Sequence, residues 1–433
     1  MRENKTKFNI LLLFSLLYTV TPSYFSLLGT KAQILLMFLA TVMLLFFGYF
    51  KFPKVNRTGM DRLLHITYIW AIAMAVISLL YRSSYGVITY IIPWLIIVPF
   101  LIKEVNTKKR FIRMLDALVF ISVIVAILGI FEEVTGINVF EFLNTDSYFY
   151  DTGARLGYTR IYSFTAHPIT YSLYCMFIMA FIFYRLSLPE TKKRGYFLGA
   201  YIVVFVSAVC TFSRSSIILI LISQIVLLWL CGYRNFVRKM LKYSVLAIVA
   251  VAIVSVAFPK IGRMISEATV LVLAVFSDNY AQQLRALGYQ WDTSGVANRF
   301  ELWGIVFSQM NGHWLLGHGP STTLTNVFLT NSAGNKFEKT SIEVQPLLTL
   351  FRYGIVAVFL EELRNVIQIK YAYKFREQKG TWEGKISYNK VCMVVFIFYF
   401  LALITVNQTD TIRIYMILSC LFISYNKFNF FDY

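Results

Sequence analysis

An α-helix needs about 20 consecutive apolar residues to cross the roughly 30 Å hydrocarbon core of a bilayer, and runs near that length recur throughout this chain. They cover residues 8–28, 32–50, 63–81, 87–102, 115–131, 168–186, 196–212, 215–232, 243–258, 344–360, 391–406 and 412–425. Fifty-eight percent of the 433 residues are hydrophobic and 15% are charged, more apolar surface than a soluble domain of this size can bury. The sequence therefore predicts an all-α polytopic membrane protein, a single transmembrane domain over residues 1–433 with about 12 transmembrane helices. The first run follows a basic N-terminus but lacks an A-x-A-like cleavage site, so it reads as an anchor and not as a signal peptide. One further apolar segment, ISEATVLVLAVF at residues 265–276, has a length typical of interfacial or re-entrant pieces. It is assigned to a large extracytoplasmic loop, residues 259–343, whose interfacial helical segments form part of the site.

The formal net charge of +19 could signal nucleic acid, but its distribution argues otherwise. Lysine and arginine in short loops orient a membrane protein toward the cytoplasm. Here alternate loops carry Lys51, Lys54, Arg57 and Arg62; Lys103, Lys108, Lys109, Arg110 and Arg113; Lys192, Lys193 and Arg194; Arg234, Arg238, Lys239 and Lys242; and the run from Lys370 to Lys390. The alternation is unbroken if both termini are cytoplasmic, and the positive charge then meets anionic lipid headgroups. The five cysteines, Cys175, Cys210, Cys231, Cys392 and Cys420, lie inside or at the ends of apolar runs without metal-ligand spacing and read as small core residues.

Residues with chemical potential gather on the other, outward side. The apolar stretch from 196 to 233 is too long for one span and contains a single charge, Arg214, in TFSRSS. That motif reads as the turn of a tight helical hairpin, with Ser213, Ser215 and Ser216 available to cap the next helix. Arg155, Arg160 and His167 lie in RLGYTRIYSFTAHP, Arg299 in NRFELW, and His313 and His318 around GHGPSTT. Glu343 and Arg352 open the run at 344–360, and Asp410 and Arg413 flank the last outer turn. Arginines at helix ends commonly snorkel to headgroups, but these oppose the positive-inside rule. Arg352 is placed roughly 12 Å inside its span, at 1.5 Å per residue, where a charge marks a functional site by default. A structural pair with Asp410 or Glu343 is its bland alternative. His167 reads equally as a cap of the helix after it, and His65 as a core histidine. There is no D-x-D pair, cysteine/histidine metal cluster, P-loop or G-x-S-x-G. Several arginines facing outward without metal ligands point to an anion at the membrane surface, held by bidentate guanidinium contacts. A lipid-linked pyrophosphate fits, and the same cations would stabilise it as a leaving group.

The order of RLGYTRIYSFTAHP, TFSRSS, NRFELWGIVFSQMNGHWLLGHGPST and SIEVQPLLTLFRYGIVAVF resembles the O-antigen ligase / Wzy polysaccharide polymerase superfamily, over residues 155–359. The resemblance implies a GT-C-like fold and a metal-independent glycosyltransferase that needs no cofactor. Its substrates would be undecaprenyl-pyrophosphate-linked oligosaccharides, as donor and acceptor, on the outer face of the bacterial cytoplasmic (inner) membrane. Arg155 or Arg160, Arg214 and Arg299 would hold the pyrophosphate by motif, with Arg352 as a further cation. Where many ligases carry a histidine at membrane re-entry, this chain reads SIEVQ, with Glu343. The departure favours a polymerase over a ligase and makes Glu343, His318 and His313 the candidates for a catalytic base. A chain-length regulator and a flippase are the protein partners this reading allows, besides membrane lipids; nucleic acid is not among them. The other readings are a ligase with a different acceptor and a transporter or flippase of lipid-linked oligosaccharide.

Overall fold

The computed structural model describes residues 2–27, 30–46, 59–144, 160–238, 240–242, 297–325, 327–330, 336–338, 341–378, 380, 383–408 and 410–428. It is helical almost throughout. The helices are α1 (Arg2–Val20), α2 (Ala32–Phe46), α3 (Gly59–Leu80), α4 (Val98–Glu104), α5 (Lys108–Thr135), α6 (Pro168–Ser187), α7 (Arg194–Val209), α8 (Arg214–Leu230), α9 (Ala297–Gln309), α10 (Gln345–Lys374), α11 (Tyr388–Leu403) and α12 (Ile412–Lys427). A π-helical stretch, Val87–Ile97, leads into α4 and contains Pro93, whose missing N–H and ring disfavour ordinary i→i−4 bonding. A 3-10 helix, Val139–Leu143, and two short antiparallel hairpins, Ser26–Leu27 with Thr30–Lys31 and Phe328–Thr330 with Lys336–Glu338, are the other regular elements among the described residues.

Local sequence signals set several helix ends. Thr107 caps α5 by accepting from Arg110 N at 3.3 Å, and Gly136, left-handed at φ 71°, ends it. Ser387 caps α11 through Lys390 N at 3.2 Å. The stretches Met60–Leu80, Val87–Glu104, Lys108–Thr135 and Pro168–Ser187 are long and apolar enough to cross a membrane, and five shorter apolar helices accompany them. Residues 243–258 and 265–276 lie outside the described residues. Helix α6 is the central post. Its residues from Pro168 to Tyr184 are buried nearly all round, against α5, α7, α8 and α11, as expected of a helix that is apolar on every face.

The helix ends that carry lysine and arginine meet at one end of the bundle. Lys427 of α12 pairs with Asp61 of α3 at 3.2 Å, and Lys108 of α5 pairs with Glu190 after α6 at 3.0 Å. Glu383 accepts from Tyr184 of α6 at 2.6 Å and from Tyr388 N of α11 at 2.8 Å. At the opposite end, the segment 160–167 touches the α1 exit, the α7–α8 turn and the α11–α12 turn. His65 is exposed on α3, not in the core, because it falls on the helix face that also exposes Arg62, Ile69 and Ile72, while Leu63 and Leu64 are buried on the other.

The expected span at 344–360 is not a continuous crossing. Helix α10 breaks at Gly354, which has φ 78° and ψ −178°. In a straight helix Gln345 and Glu361 would stand roughly 24 Å apart at 1.5 Å per residue, yet Gln345 Nε2 donates to Glu361 Oε1 at 3.2 Å. Residues 345–353 therefore fold back along residues 355–374. A second hydrophobic core forms where α9 packs on this folded half, with Leu302, Val306 and Met310 against Leu347, Leu350 and Phe351.

Candidate functional site

The site end is built from two parts, a loop braced on the α7–α8 hairpin and a cap around the α10 fold-back. In the first part, Arg160 is only 7% exposed and its Nε donates to Thr211 O at 3.2 Å. The hairpin turn is tight. Phe212 adopts φ 47°, unusual for a side chain of its size, and Arg214 is the first residue of α8. Ser213 stands at the N-cap, but its hydroxyl pairs with Ser216 Oγ at 3.1 Å and caps no backbone N–H. The positive end of a helix dipole and a braced arginine thus lie side by side, an arrangement suited to an anion.

The loop that carries Arg160 is itself fixed from below. The Glu132 carboxylate accepts from Tyr162 N at 3.2 Å and Ser163 N at 3.0 Å. Ser163, held at φ 51°, offers its carbonyl to Tyr24 Oη at 3.1 Å and Asn138 Nδ2 at 2.9 Å. Asp410 accepts from Ala166 N at 2.8 Å and from Arg413 Nη2 at 3.1 Å; Arg413 also donates to Tyr18 O at 3.0 Å. Both side chains of this pair are 1% exposed. Removing one partner of such a buried pair costs about 3–5 kcal/mol, so Asp410 and Arg413 hold the fold and Asp410 is not the counter-ion of Arg352. His167 fills the capping role, its Nδ1 accepting from Ile169 N at 3.1 Å.

The second part interlocks the GHG and RYG motifs. His318 N donates to Phe351 O at 2.8 Å, Gly319 N to Arg352 O at 3.0 Å, and Ile355 N to Trp314 O at 2.8 Å. Gly317 has φ 70°, and a Cβ there would fall 2.4 Å from the Arg352 carbonyl carbon. Tyr81, at the end of α3, donates its hydroxyl to Gly317 O. Within this cap the His318 ring stacks on His313, with centroids 4.1 Å apart, and lies 4.6 Å from Phe351. Its Nε2 is 2.9 Å from Gln309 O. A carbonyl only accepts, so Nε2 carries the proton and Nδ1 holds the lone pair of the neutral ring. Burial, with His313 alongside, lowers the His318 pKa and favours that neutral form. Arg352 Nε donates to Thr322 O at 3.3 Å. Arg352 thus sits two residues before the fold-back turn, next to the GHG loop, and not deep along a straight span.

Arg160 and the backbone of Arg214 come together, as do His313, His318 and Arg352. Arg299 is the third residue of α9, roughly 15 Å along the helix from Gln309 at 1.5 Å per residue. Arg155 lies outside the described residues, as do the side chains of Arg214 and Arg299. Glu343 is half-buried, two residues ahead of α10 and flanked by buried Ile342 and Val344.

Sequence reasoning missed a polar layer inside the bundle. Glu361 accepts from Gln345, from Thr349 at 2.6 Å and from Gln408 at 2.5 Å. Arg364, 1% exposed, lies 3.9 Å over the Trp70 ring, and its Nη2 reaches Asn365 Oδ1 at 3.1 Å. Its Nε and Nη1 have no acceptor among the described residues. The signal was EELRN in a stretch that follows a glycine; hydropathy alone put it beyond the end of a span. Among the described residues no group of three or more histidine, cysteine, aspartate or glutamate side chains could hold a metal ion.

Residues 198–360 match the family model described as O-antigen ligase. The match runs from α7 into α10, past Gly354, and supports a relation of this segment to the O-antigen ligase/Wzy superfamily. It contains Arg214, Arg299, His313, His318, Glu343 and Arg352; Arg155 and Arg160 precede it. No curated protein matches the chain.

Proposed function

We propose that this bacterial membrane protein is a polysaccharide polymerase of Wzy type. It joins undecaprenyl-pyrophosphate-linked repeat units on the outer face of the cytoplasmic membrane, into O-antigen or capsular polysaccharide. The observation that carries the reading is the bracing of Arg160 on the carbonyl of Thr211, three residues before Arg214, inside the segment that matches the family. Arg160 and Arg214, joined by Arg155, Arg299 and Arg352, would hold the donor pyrophosphate. In the transfer, a hydroxyl of the acceptor sugar attacks the anomeric carbon of the donor. The bond from that carbon to the pyrophosphate oxygen breaks, undecaprenyl pyrophosphate departs with the electron pair, and the hydroxyl proton passes to a base. Glu343 is the first candidate base; neutral His318, with its free Nδ1 lone pair, is the second, and His313 the third. The arginines neutralise the leaving group, so the step needs no metal.

The same reading gives about 12 crossings, a GT-C-like arrangement, both termini in the cytoplasm and the basic end facing inward. The family description favours a second reading, a ligase that transfers the glycan to a different acceptor. Deleting the gene and analysing the surface glycan separates them. A single attached repeat unit indicates a lost polymerase; complete loss of attached glycan indicates a lost ligase. An unchanged glycan rejects both.

A further inference from the structure

Glu361 is a buried carboxylate with no part in the transfer chemistry, and it lies one residue beyond the segment that matches the family. Its three side-chain donors are all neutral: Gln345 Nε2 at 3.2 Å, Thr349 Oγ1 at 2.6 Å and Gln408 Nε2 at 2.5 Å. Gln345 and Thr349 belong to the folded half of α10, Gln408 to the α11–α12 turn. The two donor segments are also bonded to each other, Gln408 N to Gln345 Oε1 at 3.0 Å. A carboxylate taken out of water is costly unless it is both hydrogen-bonded and near a positive charge; Arg364, three residues on, supplies the charge, and the neutral donors supply the hydrogen bonds. Here both segments are drawn onto one group to satisfy it. The folded half carries Arg352 near its end and follows Glu343 by two residues. The turn carries Asp410, which holds Ala166 N and thereby the far end of the Arg160 loop.

We infer that Glu361 is the positioning residue that latches the folded half of α10, and with it Arg352 and Glu343, into place for the reaction. Its effect on turnover rests on the transferase reading; its effect on the placement of residues 345–353 does not. Glu361→Gln keeps the shape of the side chain but turns one acceptor oxygen into a donor that faces other donors.

The test uses the full-length protein in lipid nanodiscs, with amide hydrogen exchange over residues 341–353 and steady-state kinetics on the lipid-linked donor. In Glu361→Gln, exchange over residues 345–353 should accelerate, and kcat should fall about 10²-fold, the scale of an ångström-sized misplacement. KM for the donor should rise as well, because Arg352 moves with the folded half, but by less than the fall in kcat, because the Arg160 loop keeps its own anchors, Glu132 and Asn138. The double variant Glu361→Gln with Gln345→Glu moves the carboxylate across the same hydrogen bond, where it still accepts from Gln408 N. It should restore slow exchange and most of the turnover, which a merely unfolded variant would not do. Exchange at the wild-type rate in Glu361→Gln, or a double variant no better than the single one, overturns the inference. A wild-type protein without transferase activity overturns the proposed function instead, and the exchange result then decides the inference alone.

Discussion

At the scale of single residues, the first two of the three candidate bases are tested in different ways, His318 by pH and Glu343 by substitution. The lowered pKa of His318 means that its neutral form persists below the ordinary histidine value of about 6.5. If His318 is the base, turnover should hold as pH falls through that value and drop only below it. The same shift has a sign for stability: the unfolded chain binds the proton more tightly than the folded one, so stability declines as pH falls below the ordinary value. Glu343→Gln addresses the rival directly. A positioned base contributes about 10²–10⁴-fold, so the Gln variant should lose turnover on that scale with donor binding intact. Turnover within a few-fold of wild type moves the role to His318, to be tested in the same assay. The arginine motifs and the histidines were legible as residue types. The partners that fix them were not, because Thr211, Thr322 and Gln309 act through backbone carbonyls, which any residue could supply.

At the scale of elements, the fold-back of α10 depends on Gly354. Its φ of 78° disfavours any side chain, and a Cβ there would fall 2.2 Å from Leu315 O. Gly354→Ala should cost about 1–3 kcal/mol from the positive-φ, extended-ψ backbone alone, with the clash added. The expected outcome is a lower melting temperature in detergent and loss of transfer; unchanged melting would show that the turn tolerates the side chain. The apolar runs predicted most described helices to within a few residues because hydropathy reports burial and lipid contact directly. It failed at 344–360 for a physical reason. A helix that turns back and one that continues bury similar apolar faces, and the sign of φ at one glycine leaves no mark in hydropathy. The error also carried Glu361 and Arg364 past the end of the span, although both lie on the half that runs to the basic end.

At the scale of the whole molecule, the alternation of lysine and arginine places like ends together, and the contacts of Lys427 with Asp61 and of Lys108 with Glu190 agree with that grouping. Which end faces the cytoplasm is a separate matter that single cysteines can decide. Membrane-impermeant labelling from outside should reach positions near Asp146 and Asn335 but not Lys192 or Lys379; labelling at Lys379 would reverse the topology. The polymerase reading itself is tested most directly with purified protein and one synthetic undecaprenyl-pyrophosphate repeat unit as the only substrate, in buffer containing a chelator. The wild type should build a ladder of products two units and longer. Arg214→Ala should build none although the protein is intact, and Arg214→Lys should recover only part of the activity, since a point charge lacks the bidentate fork. A wild type that extends nothing, or an Arg214→Ala variant that makes the full ladder, would contradict it.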